Sequence, residues 1–204
     1  MKKKYKIVFI VLSILLIISV FICYRICKYN EKEVRNKQRK EFLVNLEKKK
    51  REGLVRMGER IIITNDDEFL HKKSKAVENF DEKLSVLIDD MIETLHKKED
   101  AVGLAAVQIG ILKNVIVIDV GQGVLEIVNP SIVEKKGEQI EYEGCLSYPE
   151  IYKKVKRPAY VKVKAYDRNG KEYTIEGEGL LARALCHEID HLNGIVFLDR
   201  AISD

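Results

Sequence analysis

The chain has 204 residues, 46% hydrophobic and 33% charged, with three Pro, 12 Gly and four Cys. That composition excludes a disordered chain, a multi-span membrane protein, a collagen-like or Pro-rich architecture and a disulfide-dense scaffold; the length accommodates one domain with an appendage. The net charge of +4 joins two unlike parts, since residues 1–60 hold 17 Lys+Arg against 6 Asp+Glu and residues 61–204 hold 19 against 26. The basic arm suits attraction to a membrane surface, and the acidic remainder gives no sign of a nucleic-acid site.

Residues 7–24, IVFIVLSILLIISVFICY, carry no charge. As a helix they would span roughly 27 Å, close to the hydrocarbon thickness of a bilayer. Lys2, Lys3, Lys4 and Lys6 would equally begin a cleavable signal peptide, but the bulky Phe21, Ile22, Tyr24 and Ile26 leave no small-x-small cleavage pattern. The expectation is a retained single-pass anchor over residues 1–27. Seven basic residues from Arg25 to Lys40 outnumber the four Lys before the span, which points to a cytoplasmic domain at the cell membrane. Residues 28–56 are expected to form a charged linker helix, and a folded domain to occupy residues 57–204. Cys23 and Cys27, at the membrane edge, are read as apolar filler or as acylation sites.

Asn79 with Glu82 three residues on predicts a capping box, followed by a core-facing helix to about Lys97 carried by Leu84, Leu87, Ile88, Met91, Ile92 and Leu95. His96 sits on its last turn. Short β-rich runs follow at 115–120, 125–128, 139–143, 160–166 and 173–175, with Asp167-Arg168-Asn169-Gly170 as a hairpin turn between the last two. A final helix is predicted over 179–193, stopped by Gly194. Helix, strands, helix in that order predicts an α+β domain of short antiparallel sheets around a C-terminal helix.

That helix carries His187-Glu188-Ile189-Asp190-His191. His at i and i+4 lie on one helix face and can reach one metal ion, and Glu188 beside them can take a proton from an activated water. The motif is embedded in apolar sequence, where imidazoles and a carboxylate without a ligand would be costly. Position 197, where the elongated metallopeptidase pattern places a third His, is Phe. His71 and His96 lie in Lys-rich stretches expected to be exposed, so the third ligand should come from upstream. Cys145, in EGCLSYP, is the natural candidate; its rival Cys186 points about 100° away on the helix and reads as a packed apolar residue. A third segment, Ala101 to Gly110, is dense in small residues suited to close backbone approach, and it lacks the features of a phosphate loop.

Together, AVGLAAVQ, EGCLS and CHEIDH resemble the GxGLAAxQ, EGCLS and QHExDH motifs of the peptide deformylases, over about residues 57–199. The resemblance implies a peptide-deformylase-like fold and a hydrolase that removes the formyl group from N-terminal formylmethionine of nascent chains. By it, Cys145, His187 and His191 are metal ligands, and Glu188 is the general acid/base. The Gln108 side chain and the Leu146 N–H would stabilise the oxyanion, Gly103 would approach the substrate backbone, and Val102, Leu146 and Leu180 would line the methionine pocket. Fe(II) is implied as the most active metal, with Zn(II), Ni(II) or Co(II) able to occupy the site. Ala101 stands where the family has its first Gly, and Cys186 where Gln precedes the first His. The C-terminal helix with which some relatives dock on the ribosome has no counterpart, leaving that contact open, and the anchor lies outside the usual family pattern. Two rival readings remain: a membrane-anchored metallopeptidase for internal bonds, which leaves EGCLS and GLAAVQ unexplained, and a catalytically impaired, tethered metal-binding module.

Overall fold

The computed structural model describes residues 58–202 except 66 and 99. The expected anchor over residues 7–24 and the linker over 28–56 lie outside the described residues. Among the described residues no helix is long and apolar enough to cross a membrane.

Helix α1 spans Glu82–His96. Its N-cap is Asp81, whose side chain accepts from the Leu84 N–H, and not the expected Asn79. An Asp immediately before the apolar repeat satisfies a free helix N–H without an extra turn. His96, expected to be exposed, is buried against Asp119 with Nε2 to Oδ2 at 3.0 Å; it sits on the inner side of the last turn.

Seven strands follow: β1 Gly103–Ala105, β2 Val115–Ile118, β3 Leu125–Lys136, β4 Gln139–Cys145, β5 Tyr148–Arg157, β6 Tyr160–Tyr166 and β7 Glu172–Glu178. They form a five-stranded antiparallel sheet in the order β1-β2-β3-β6-β7 and a separate β4–β5 hairpin. The Asp167–Gly170 turn joins β6 to β7 as expected, with the Gly170 N–H donating to the Asp167 carbonyl and Gly170 at φ +79°. Strands β1 and β5 escape the periodicity reading, and β3 runs eight residues further than its apolar run. In β5 the outer face is Lys-rich and only Tyr148, Val155 and Arg157 are buried, so alternation of hydrophobicity is masked.

Helix α2, Gly179–Leu192, bears the HEIDH segment. Ala182, Leu185, Cys186, Ile189 and Leu192 pack with Ile116, Ile118, Ile127, Val161, Val163 and Ile175 of the sheet in one core cluster. Cys186 is therefore a packing residue, and burial pushes its thiol pKa up. In β2, Val115 and Val117 are as fully buried as Ile116 and Ile118, and α1 contacts β1 and β2, so this strand is covered on both faces. A second, smaller cluster of Leu70, Tyr148, Val155, Val196 and Phe197 fastens the β4–β5 hairpin to the segment after α2.

Gly194, at φ +74°, ends α2, and a Cβ there would collide with the His71 carbonyl oxygen. Only Gly meets both demands. Gly194→Ala is expected to cost about 2–4 kcal/mol, from left-handed strain plus displaced backbone. Chemical unfolding monitored by circular dichroism measures it.

Candidate active site and metal centre

The two-residue turn Leu146–Ser147 joins β4 to β5, and Cys145 stands at its entrance. Helix α2 meets the hairpin there. The donor atoms of Cys145, His187 and His191 lie within 4.8 Å of one another, with Cys145 Sγ 3.3 Å from His191 Nε2. Tetrahedral coordination by one thiolate and two imidazoles needs donor separations of roughly 3.3–3.6 Å, so small side-chain rotations bring the three onto one ion. The donor chemistry fits as well, since sulfur with two imidazoles suits a borderline-soft divalent metal. His71 is exposed and His96 is engaged with Asp119, so neither joins the cluster. Phe197, where a third His was conceivable, is buried with its ring stacked on His187 at 6.0 Å between centroids.

A line of buried charge supports these donors. His187 Nδ1 lies 3.0 Å from Glu143 Oε2, and Arg157 donates to both Glu143 oxygens at 2.9 Å. Arg157 also pairs with Asp190 of the HEIDH segment, which in turn binds Arg200 at 2.5 and 2.7 Å. Burial alone would raise the Glu143 pKa; the His187 hydrogen bond and the Arg157 guanidinium outweigh it and hold the carboxyl down to about 2. An ionised Glu143 fixes the His187 ring and turns Nε2 toward the cluster. Burial disfavours the charged form of both imidazoles. Hydrogen bonding to Cys145 and Glu143 nonetheless raises His187, whereas His191, buried and facing the His187 and Arg157 charges, falls well below the usual histidine value.

Glu188 is buried beside this cluster, and its Oε2 has no hydrogen-bond partner among the described residues. Burial pushes its pKa up to about 7, with His187 opposing the shift. A carboxyl so placed can both accept and donate a proton near neutral pH. Gly103 sits against it: a Cβ at that position would lie 2.5 Å from Glu188 Oε1. Glycine is thus required by the carboxylate as well as by the open cleft. Gln108 is buried and its amide is oriented, because Oε1 accepts from the Ala105 N–H at 2.8 Å. Nε2 then points to Cys145 Sγ at 3.4 Å and to Ser147 Oγ at 3.2 Å.

These groups open into a cleft of about 400 Å³. Val102, Gly103, Gln108, Cys145, Leu146, Leu180, His187 and Glu188 all line it, so eight of the nine residues singled out from sequence share one cavity; His191 is fully buried and touches the lining residue Cys145. Ala101 lines the same wall, and Leu180 is half exposed at the rim. The sequence reading missed the supporting roles of Glu143, Arg157 and Asp190. Glu143 and Asp190, which stand inside the Cys and His motifs, were the available signal, but their pairing with Arg157 across 14 and 33 positions was not legible.

The comparisons agree with this geometry. Residues 59–204 match the family model described as polypeptide deformylase. The peptide deformylase of Alkaliphilus metalliredigens is 55% identical over 148 residues, which is 72% of this chain and 100% of that protein. Peptide deformylase 1 of Clostridium acetobutylicum is 53% identical over 71% of this chain and 95% of its own. The crystal structure of the Thermotoga maritima peptide deformylase superposes with a TM-score of 0.69 at 41% identity, covering 72% of this chain and 99% of that one. The Ehrlichia chaffeensis peptide deformylase in complex with actinonin gives 0.69 at 39% identity, over 72% and 91%. With its antiparallel sheets, its C-terminal HEIDH helix and a Cys/His/His group at their junction, this chain belongs to the polypeptide deformylase family.

Proposed function

We propose that the chain is a membrane-anchored metallohydrolase that removes the formyl group from N-terminal formylmethionine of nascent polypeptides, releasing formate. The observation that carries this reading is the meeting of Cys145, His187 and His191 beside a buried, unpaired Glu188 in a cleft walled by small residues. A metallopeptidase for internal bonds would leave the Gln108–Cys145 contact without purpose.

Cys145 Sγ and one nitrogen each of His187 and His191 would hold the metal, with Fe(II) preferred and Zn(II), Ni(II) or Co(II) alternatives. When bound, it supplies Lewis acidity, lowering the pKa of water and polarising the formyl carbonyl. Glu188 takes the proton of the attacking water as the new C–O bond forms on the formyl carbon. The Gln108 Nε2–H and the Leu146 N–H donate to the oxyanion that develops on the former carbonyl oxygen. Glu188 then returns the proton to the methionine nitrogen as the C–N bond breaks, leaving formate and a free amine. Gly103 lets the substrate backbone lie along β1, and Val102, Leu146 and Leu180 receive the methionine side chain. Ala101 adds one methyl to the cleft wall, and every proton-transfer and ligand role is filled in spite of it. In the proposed arrangement residues 1–27 anchor the chain in the cell membrane, 28–56 lift the domain off it and 57–204 carry catalysis in the cytoplasm. The uncharged run over 7–24 and its richer C-terminal basic flank support that topology.

Anaerobic reconstitution with Fe(II) followed by formate release from formyl-Met peptides tests the activity. Glu188→Ala is expected to keep its metal and lose about 10²–10⁴-fold in kcat. No formate from the wild type, or full activity in the variant, contradicts the reading. For the anchor, the full-length chain is expected to stay with membranes through alkaline carbonate washing; its release into the supernatant would contradict it.

A further inference from the structure

The segment from Gly58 to Asn65 crosses the domain as a strap, in neither helix nor strand. It is held at both ends. At the first, Arg60 sends Nε and a terminal guanidinium nitrogen to Asp90 Oδ2 at 2.8 and 2.5 Å. The Gly58 N–H donates to Asp90 Oδ1 at 2.8 Å, and the Arg60 N–H to Thr94 Oγ1 at 3.0 Å. Asp90 and Thr94 are buried residues of α1. At the second, the Ile63 N–H donates to the Gln108 carbonyl and the Asn65 N–H to the Ser147 carbonyl, both at 2.8 Å. Ile63 packs against the smaller core cluster, but little backs the span before it. Ile61 is 90% exposed, and a cavity of about 540 Å³ is lined by Ile61, Ile62 and Thr64 together with Lys98 and Leu146.

We propose that Arg60 is a positioning residue for the oxyanion donors: its clasp on Asp90 fixes the strap, and the strap fixes the Gln108 turn against the Leu146–Ser147 turn. The inference rests on the deformylase reading, in which the Gln108 Nε2–H and the Leu146 N–H donate to one oxygen. Those donors come from separate elements, the 3-10 turn Ala106–Ile109 and the β4–β5 turn. The contact of Gln108 Nε2 with Ser147 Oγ at 3.2 Å joins their side chains, and the strap joins their backbones. In extended chain, N–H groups two residues apart point the same way, roughly 6.6 Å from each other. Ile63 and Asn65 thus act as a spacer of set length between the two carbonyls. A segment with so little apolar backing opens locally once its clasp is lost. Donors preorganised for a developing charge lose much of their effect when they shift by about 1 Å. The rival role is a clasp that merely stabilises α1. Against it stands the course of the strap, which continues past Arg60 to end on Gln108 itself and on the residue after Leu146.

The test uses the full-length protein, reconstituted anaerobically with Fe(II), and formate release from formyl-Met-Ala-Ser. Arg60→Ala is expected to lower kcat about tenfold with KM unchanged, and Arg60→Lys to recover part of the loss. An effect that passes through the donor disappears where the donor is absent. In a Gln108→Ala background, itself down about 10²-fold, Arg60→Ala should therefore cost less than about twofold more. Hydrogen exchange read by mass spectrometry should be faster over residues 61–65 in Arg60→Ala and unchanged over the HEIDH helix, and Co(II) bound in place of Fe(II) should keep its thiolate charge-transfer band. Arg168→Gln is the control, because it breaks pairs with Asp89 on α1 and Glu126 on β3, which lie outside the strap. It should lower the unfolding midpoint and leave kcat as it is. If Arg60→Ala does not fold, Asp90→Asn, which keeps an acceptor for the Gly58 N–H, carries the same test at smaller amplitude. An unchanged kcat in these strap variants, a full tenfold loss added to that of Gln108→Ala, or the same kcat loss in Arg168→Gln overturns the inference and leaves the deformylase reading standing. A wild type that releases no formate overturns both.

Discussion

A thiol at the end of one hairpin strand and two imidazoles a helical turn apart come within 4.8 Å of one another because the β4–β5 hairpin is locked onto α2. Two interactions hold it. One is apolar, the packing of Tyr148 and Val155 against Val196 and Phe197. The other is the chain of charge that runs from His187 through the buried Glu143, Arg157 and Asp190 out to the exposed Arg200. Buried ion pairs contribute little net stability, but removing one partner leaves a stranded charge that costs about 3–5 kcal/mol. The network therefore acts as a register device: it tolerates one alignment of hairpin and helix, the one in which Cys145 faces His191.

The same alignment explains the small residues. Gly103 has no Cβ because Glu188 occupies that space, and Gly144 has none because Tyr152 does. Both glycines line the cleft beside Cys145 and Glu188, so the cleft wall and these side chains share one packing solution. Burial that secures the geometry also tunes the chemistry. It raises the Glu188 carboxyl toward neutrality, while Glu143, equally buried but paired with Arg157 and His187, stays ionised. Two carboxylates 45 positions apart thus meet opposite electrostatic surroundings, one pushed toward its neutral form and one held ionised.

Much of the site was legible because its chemistry is local. His187 and His191 announce themselves by helical spacing, Gly194 by its place after the last apolar turn, and Cys145 by its Gly-preceded turn. The periodic helix α1 and the Asp167–Gly170 hairpin were equally plain. What stayed hidden depends on pairing at a distance. Strand β5 reads as a Lys-rich surface segment because its buried residues are spaced among exposed ones, and one of them is Arg157, whose partners lie on β4 and α2. His96 was misread from its Lys neighbours, since a helix can bury one residue of a charged turn and leave the next two in solvent.

The account reduces to whether one sulfur and two imidazoles bind a single ion. Cobalt(II) reports this directly, because a thiolate ligand gives intense near-ultraviolet charge transfer and four-coordinate geometry gives strong visible d–d bands. Anaerobic titration of the full-length protein with Co(II), followed by absorption spectroscopy, is expected to show both features saturating at one equivalent, with the charge-transfer band abolished in Cys145→Ser. A wild-type spectrum lacking thiolate charge transfer, or one unchanged by Cys145→Ser, would contradict it.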